Sequence, residues 1–395
     1  MNINWSNVKD LTIGGKSVKK LELDGQVVWE KGLPYDSEVE YLECTRQQWI
    51  DTGISLYNVP SFSFEIDFEP TANYDFNAIF CINSSTVNEG WMYSTGSSVF
   101  RLCSKGTQTI YASLNNKHIW KLDWTVNGFT YTLDNTTQSV NYTTTEKINT
   151  LSPLWLLHRV DYATGKLYGF KLWKENVLVM DLIPVRVGTK GYMYDKISRQ
   201  LLGNAGTGDF ILGNDIEYYD YLQNDGVAYI DTGIIGGSNI STEFKFRNLG
   251  SANRFIYGGT GNYTPVIVQS NYWFNTRYTN VGDSIVTTIV LIQVDQNDHT
   301  IRFNFNNSIL WDGVEYASNL SIKNDTKTLY LFSSSGTQYT ATARIYYCRI
   351  YDNGTLVRDY KPCLYNGEAG LWDLVEGKFY GNANNTGTLT VGNDE

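Results

Sequence analysis

The chain has 395 residues, of which 42% are hydrophobic and 18% charged, with 35 Gly but only 7 Pro. That balance excludes a disordered or collagen-like polypeptide and suits two or three compact units. The formal net charge of −10 supplies no field to attract phosphate backbones or anionic lipid, so nucleic acid is not expected as a partner. Aromatic residues make up 14%, with 29 Tyr, 17 Phe and 11 Trp, and rings favour half-buried pleated surfaces. No apolar run reaches about 18 residues, and the opening MNINWSNVKD lacks the basic start and apolar stretch of a signal peptide. Neither membrane insertion nor ordinary secretion is expected.

Residues 1–35 contain LTIGGKSVKKLELDGQVVWE, in which Gly14-Gly15 and Asp24-Gly25 suit two-residue hairpin turns. Three strands in a small β-meander are expected. So few residues bury too little apolar area to stand alone, so Ile13, Val18, Leu21, Leu23, Val27 and Trp29 need a partner surface. That surface is either a larger assembly or the domain that follows.

Beyond residue 35 the dominant signal is period-two alternation. Phe62, Phe64, Ile66 and Phe68 alternate with Ser61, Ser63, Glu65, Asp67 and Glu69. Phe129, Tyr131 and Leu133 do the same, as do Ile301, Phe303 and Phe305. Short strands separated by Asn, Asp and Gly turns predict an all-β chain of antiparallel sandwich or jelly-roll domains with very little helix.

The chain also repeats itself. Glu40-Tyr41-Leu42 followed by Ile50-Asp51-Thr52-Gly53-Ile54 recurs 180 positions later as Asp220-Tyr221-Leu222 and Ile230-Asp231-Thr232-Gly233-Ile234. KLWKENVLVMDLIPV (171–185) aligns at an offset of 178 with RIYDNGTLVRDYKPC (349–363), pairing Asp181 with Asp359 and Pro184 with Pro362. Gly203-Asn204-Ala205 matches Gly381-Asn382-Ala383. Units this long are whole domains rather than stacked motifs, which sets boundaries at 36–215 and 216–395. No Pro, Gly or Ser spacer separates them, so they are expected to abut. Within each, the IDTG strand and the strand carrying Pro184 or Pro362 are expected to lie together as paired terminal strands.

EYLECTRQQWIDTGI, GTLVRDYKPC and GYMYDKISRQLLGNAGTGDFILG resemble the concanavalin A-like, laminin G-like sandwich domains of bacteriophage and prophage structural proteins. IGGKSVKKLELDGQVVWEK is similar to an amino-terminal segment of phage tail and fibre proteins. The resemblance covers about 36–395 and implies two tandem concanavalin A-like sandwiches in a non-enzymatic virion protein, either a fibre or a decoration protein. Such a protein presents lectin-like domains to bacterial surface glycans, docks to other virion proteins through residues 1–35, and is expected to be a homo-oligomer in the virion. Assembly in the bacterial cytoplasm agrees with the missing signal peptide. A second reading is a glycan-degrading depolymerase, and a third is a decoration protein that binds only virion subunits.

The same broad fold hosts β-glucanases, whose catalytic strand reads Glu-x-Asp-x-Glu, and this chain has Glu65-Ile66-Asp67-Phe68-Glu69. Carboxylates on one strand face can serve as nucleophile and acid/base with an aspartate between them tuning both. Against this, the second repeat has Glu243, Lys245 and Arg247 at these positions, and alternation alone puts polar residues there. His118, His158 and His299 fall in different segments without a catalytic motif, and Gly258-Gly259-Thr260-Gly261 lacks the Lys of a phosphate loop. No cofactor is expected. Asp51 and Asp231 could ligate calcium or form Asx-turns; two oxygen donors alone do not make a site, so no metal is assigned. The five cysteines show no CxxC spacing and read as buried thiols. Sugar binding requires exposed rings beside amides, which selects Trp91 and Tyr93 in the first repeat and Asn262, Tyr263, Tyr272 and Trp273 in the second. The alternative is that Trp91 and Trp273 belong to the core.

Overall fold

The computed structural model describes the backbone of 11–13, 16–18, 20–23, 26–30, 33–72, 75–82, 91–95, 99–103, 107–111, 115–134, 136–141, 151–158, 163–250, 254–259, 265–269, 273–278, 290–293, 295–304, 308–317, 328–334 and 340–394. Side chains are described throughout these ranges except in the strands within 11–30, 75–78, 91–111 and 265–293 and at 82, 140, 316 and 317. The described residues contain no helix, and all named strand pairs are antiparallel. The chain divides into two compact units, Met1–Gly213 and Asn214–Glu395.

In the first unit, one sheet of six strands runs in the order Thr107–Tyr111, Val99–Cys103, Trp91–Thr95, Asp75–Ile82, Pro153–Leu156, Ile50–Ser55. The facing sheet is built around Ser61–Pro70, flanked by His118–Thr125 on one side and Thr164–Lys174 on the other. The Ser61–Pro70 strand shows why this sequence folds so. Phe62, Phe64, Ile66 and Phe68 are all at most 3% exposed, while the intervening polar residues stay half-buried. Each buried ring or branched side chain contributes about 1.5–3 kcal/mol, so one alternating strand supplies a large share of the core. Phe64 meets Phe80 of the opposite sheet edge-on, with centroids 4.4 Å apart.

The second unit repeats this plan. Its six-stranded sheet runs Ile230–Ile235, Thr328–Leu331, Arg254–Gly258, Pro265–Gln269, Trp273–Tyr278, Val290–Gln293, and its facing sheet centres on Ile240–Asn248 between Asp298–Phe303 and Ala343–Asp352. Cross-strand register equates Phe64 with Thr242 and Phe80 with Tyr257. Here the aromatic pair becomes a hydrogen bond, Thr242 Oγ1 to Tyr257 Oη at 2.7 Å. A buried tyrosine hydroxyl requires such a partner, so the two exchanges compensate.

Shared motifs resolve into scaffold devices. In each IDTG segment the aspartate Oδ1 accepts the glycine N–H, at 2.8 Å for Asp51 to Gly53 and 2.9 Å for Asp231 to Gly233. The glycines take φ of +66° and +67°, where a Cβ is disfavoured. Asn204 and Asn382 tie the closing loop to the opening segment by accepting the N–H of Trp49 and of Tyr229. Buried Asp195 accepts the N–H groups of Asp181, Ile197 and Ser198, and Asp373 accepts those of Asp359 and Val375. Glu175-Asn176 and Asn353-Gly354, with φ positive at both residues, make two-residue hairpin turns. Cys44, Cys81, Cys348 and Cys363 are buried, and burial pushes the Cys44 thiol up to about 12.

Two expectations require correction. The IDTG strand does not pair with the strand carrying Pro184; it pairs with Pro153–Leu156, and Val177–Val187 pairs with Thr164–Lys174, Lys190–Asp195 and Ser37–Val39. Chain ends do close each unit, but through Leu42–Thr45 with Ile211–Leu212 and Tyr221–Asn224 with Leu389–Gly392. The loop clamped by Asn204 returns the chain beside the strand before IDTG, which leaves IDTG free to cross to the opposite sheet. Among the described residues the amino-terminal segment has four strands, not three, in two separate hairpins, Leu11–Ile13 with Lys16–Val18 and Lys20–Leu23 with Gln26–Glu30. Gly14-Gly15 and Asp24-Gly25 lie outside the described residues.

Candidate functional site

The outer face of the larger sheet carries the chemistry common to both units. One row of side chains crosses four strands as Lys121, Glu65, Lys171, Asp181 in the first unit and Arg302, Glu243, Arg349, Asp359 in the second. Charges alternate identically. Glu65 lies 2.8 Å from Lys121 and 3.8 Å from Lys171, while Arg349 lies 3.2 Å from Asp359. Directly opposed opposite charges support strand pairing by some tenths of a kcal/mol each, which is a sufficient reason for this row.

The neighbouring row surrounds a tyrosine pair. Tyr168 is the extra residue of a bulge between Leu167 and Gly169, and Tyr346 occupies the same bulge between Ile345 and Tyr347. Bulges re-aim side chains, and each tyrosine reaches a ring on the adjacent strand: Tyr41 at 5.5 Å and Tyr221 at 6.1 Å between centroids. In the first unit Lys117 sits over Tyr168 and Lys166 over Tyr41. Lys117 pairs with Asp67 at 3.0 Å and Lys166 with Glu69 at 3.1 Å, while Tyr168 donates to Glu69 at 2.7 Å. Burial, with Lys117 opposing it, raises the Asp67 carboxyl to about 6. Burial and the Glu69 bond push the Tyr168 hydroxyl far up.

In the second unit the central signs reverse. Lys245 replaces Asp67 and Asp298 replaces Lys117, joined at 2.7 Å. Arg247 replaces Glu69 and also binds Asp298, at 2.6 Å. Arg344 stacks on Tyr221 at 3.8 Å, donates from Nε to Gln223 at 3.0 Å and lies 3.2 Å from Asp394. Burial disfavours the charged Asp298, but Lys245 and Arg247 overcome it and hold the carboxyl below its usual range.

Glu65 and Glu69 therefore belong to different rows, and four residues of strand separate their Cα atoms by about 13 Å. Each is held by its own cations rather than facing a shared cleft carboxylate. His118 and His299, which the sequence places in unrelated segments, are equivalent positions. Nδ1 of His118 lies 2.9 Å from Asp134, and Nδ1 of His299 lies 2.8 Å from Asp312; both aspartates also accept the next backbone N–H. This is a hairpin clamp on buried rings. Trp49 packs against Trp155 and His158, at 5.2 and 4.8 Å, a half-buried aromatic group that no spacing in the sequence brings together. Tyr229 and Tyr330 repeat it in the second unit.

Of the sugar-binding candidates, Trp91 and Tyr93 fall on the Trp91–Thr95 strand and Trp273 on Trp273–Tyr278, with side chains outside the described residues. Asn262, Tyr263 and Tyr272 lie outside the described residues altogether. The two strands are not equivalent, since Trp91–Thr95 corresponds by sheet order to Pro265–Gln269. Among the described residues no group of three or more His, Cys, Asp or Glu could hold a metal ion, and no helix is long and apolar enough to cross a membrane.

No family model matches the chain. No curated protein matches it either. Among solved structures it is similar to domains LG4-5 of the mouse laminin alpha1 chain, at 9% identity and a TM-score of 0.31 over 83% of this chain and 93% of that one. It is also similar to the LG1-3 region of the laminin alpha2 chain, at 9% identity and a TM-score of 0.28 over 93% of this chain and 69% of that one. The antiparallel two-sheet architecture rests on the strand pairing itself.

Proposed function

We propose that the chain is a non-enzymatic structural protein of a bacteriophage particle that presents two sandwiches to bacterial surface glycans. The observation that supports it most is the recurrence, in both units, of a bulged tyrosine set among paired charges on an open sheet face. Rings flanked by charged and amide side chains are suited to sugars, and duplication gives one chain two such faces. Residues 1–35 dock to other virion proteins in this reading, which their two-stranded hairpins favour because such small sheets lack a core of their own.

Identification of the chain in purified phage particles by mass spectrometry tests the virion assignment. A glycan array with the full chain tests the binding role, and binding to no glycan refutes it. Deletion of residues 1–35 should abolish incorporation while both units still melt cooperatively; continued incorporation refutes docking. The depolymerase reading would use Glu65 and Glu69 as its paired carboxylates, with Asp67 between them on the same strand. Reducing-sugar release from a β-glucan that disappears in Glu65→Gln would establish it in place of the adhesin.

A further inference from the structure

Comparing the two rows separates what the fold needs from what differs between units. The Lys121 row and the Arg302 row keep the same charge order, whereas the tyrosine row has been rewritten at matched positions. Around Tyr41 and Tyr168 stand two cations, Lys117 and Lys166, against four carboxylates, Asp67, Glu69, Glu43 and Glu40. Around Tyr221 and Tyr346 stand three cations, Lys245, Arg247 and Arg344, against two carboxylates, Asp298 and Asp394. Gln223 replaces Glu43 opposite Arg344. Asp67 and Lys117 swap signs as Lys245 and Asp298, Lys166 keeps its charge as Arg344, and Glu69 to Arg247 and Glu43 to Gln223 move the second patch toward positive charge, offset in part by Asp394.

We propose that the second unit's tyrosine row is a site for a carboxylate-bearing polysaccharide, and that the first unit's row rejects such a chain. The inference rests on the glycan-binding reading above. Arg247 and Arg344 lie opposite each other on adjacent strands, about 4.8 Å apart in the sheet, so both can act on one extended anionic chain. Arg344 is fixed before binding by Tyr221 beneath it and Gln223 at Nε, which limits the ordering cost. Its Nη2 makes no hydrogen bond among the described residues, and a planar guanidinium edge suits a carboxylate. Arg247 and Arg344 are only 29% and 23% exposed at their side chains, so the ion pairs they make are less screened than on an open surface.

Calorimetric titration of the full chain with polygalacturonate, alginate and hyaluronate, with dextran as the neutral control, tests this. At least one polyuronate should bind, more weakly as salt rises from about 0.05 to 0.5 M. Arg344→Gln and Arg247→Gln should each lose at least tenfold in affinity, Arg344→Lys less, and Lys166→Gln in the first unit less than twofold. Circular dichroism and melting confirm that the variants fold; should Arg344→Gln fail to, Arg344→Lys and Arg247→Gln carry the test. Silence of all three polyuronates overturns the inference, as does a loss in Lys166→Gln equal to that in Arg344→Gln. Neutral glycans bound on the array with every polyuronate silent would refute this site and leave the adhesin reading standing; an empty array would refute that reading itself.

Discussion

Replacing Asp67 by Asn should make the protein more stable at neutral pH. The carboxyl is 24% exposed, and burial raises it to about 6 despite Lys117 at 3.0 Å. An unfolded aspartate titrates near 3.9. Between those values the folded chain holds a proton that the unfolded chain has lost, so this group's contribution is full below about pH 4 and is lost as the pH rises through 6. Two pH units of separation correspond to about 3 kcal/mol, and partial exposure beside a lysine reduces the usable effect to about 1–2 kcal/mol. Urea unfolding of the parent and Asp67→Asn should therefore agree at about pH 3 and differ by about that amount at pH 7.5, with Asn the more stable. A parent at least as stable as Asp67→Asn at pH 7.5, or a difference equal at both pH values, would refute the reasoning.

Asp195→Ala removes the acceptor of three backbone N–H groups and should cost about 3–5 kcal/mol, or roughly 6–15 °C in a calorimetric scan, while Asp195→Asn retains an acceptor and should cost less than half as much. Gly53→Ala and Gly233→Ala add a Cβ into open space at positive φ, so each should cost only about 1 kcal/mol in denaturant unfolding. Gly165→Ala instead drives a Cβ into the backbone oxygen of Glu69 and the Phe68 ring, and a loss of about 3 kcal/mol or no soluble protein is expected on expression and melting.

Strand class was legible because alternation is a local property. Phe62 to Phe68 declare their buried face within eight residues, and the register then follows from the neighbouring strands. The position of IDTG was not legible, because its partner strand begins at Pro153, across about a hundred residues of other strands. The site was hidden for a related reason. Tyr168 and Tyr346 face outward through bulges, which insert one residue and break the period-two rule exactly where it would have been applied to them. His118 and His299 stand at an offset of 181 rather than 180 or 178, so neither end of the duplication brings them into alignment. Aromatic content pointed to Trp91 and Trp273, but a chain with this many rings offers such clusters on many strands, and only cross-strand register separates a repeated pair from a coincidence.

The pairing of Leu42 with Leu212 joins two positions 170 apart in the chain. At synthesis speeds of roughly 5–20 residues per second, the opening strand waits about 10–30 s on the ribosome for its closing partner. During that interval Phe62, Phe64, Ile66 and Phe68 already exist as one face of a strand, and the Thr164–Lys174 neighbour that completes their sheet has yet to be made. The first unit's aggregation risk is therefore greatest during that interval, and rare codons between residues 70 and 164 would lengthen it.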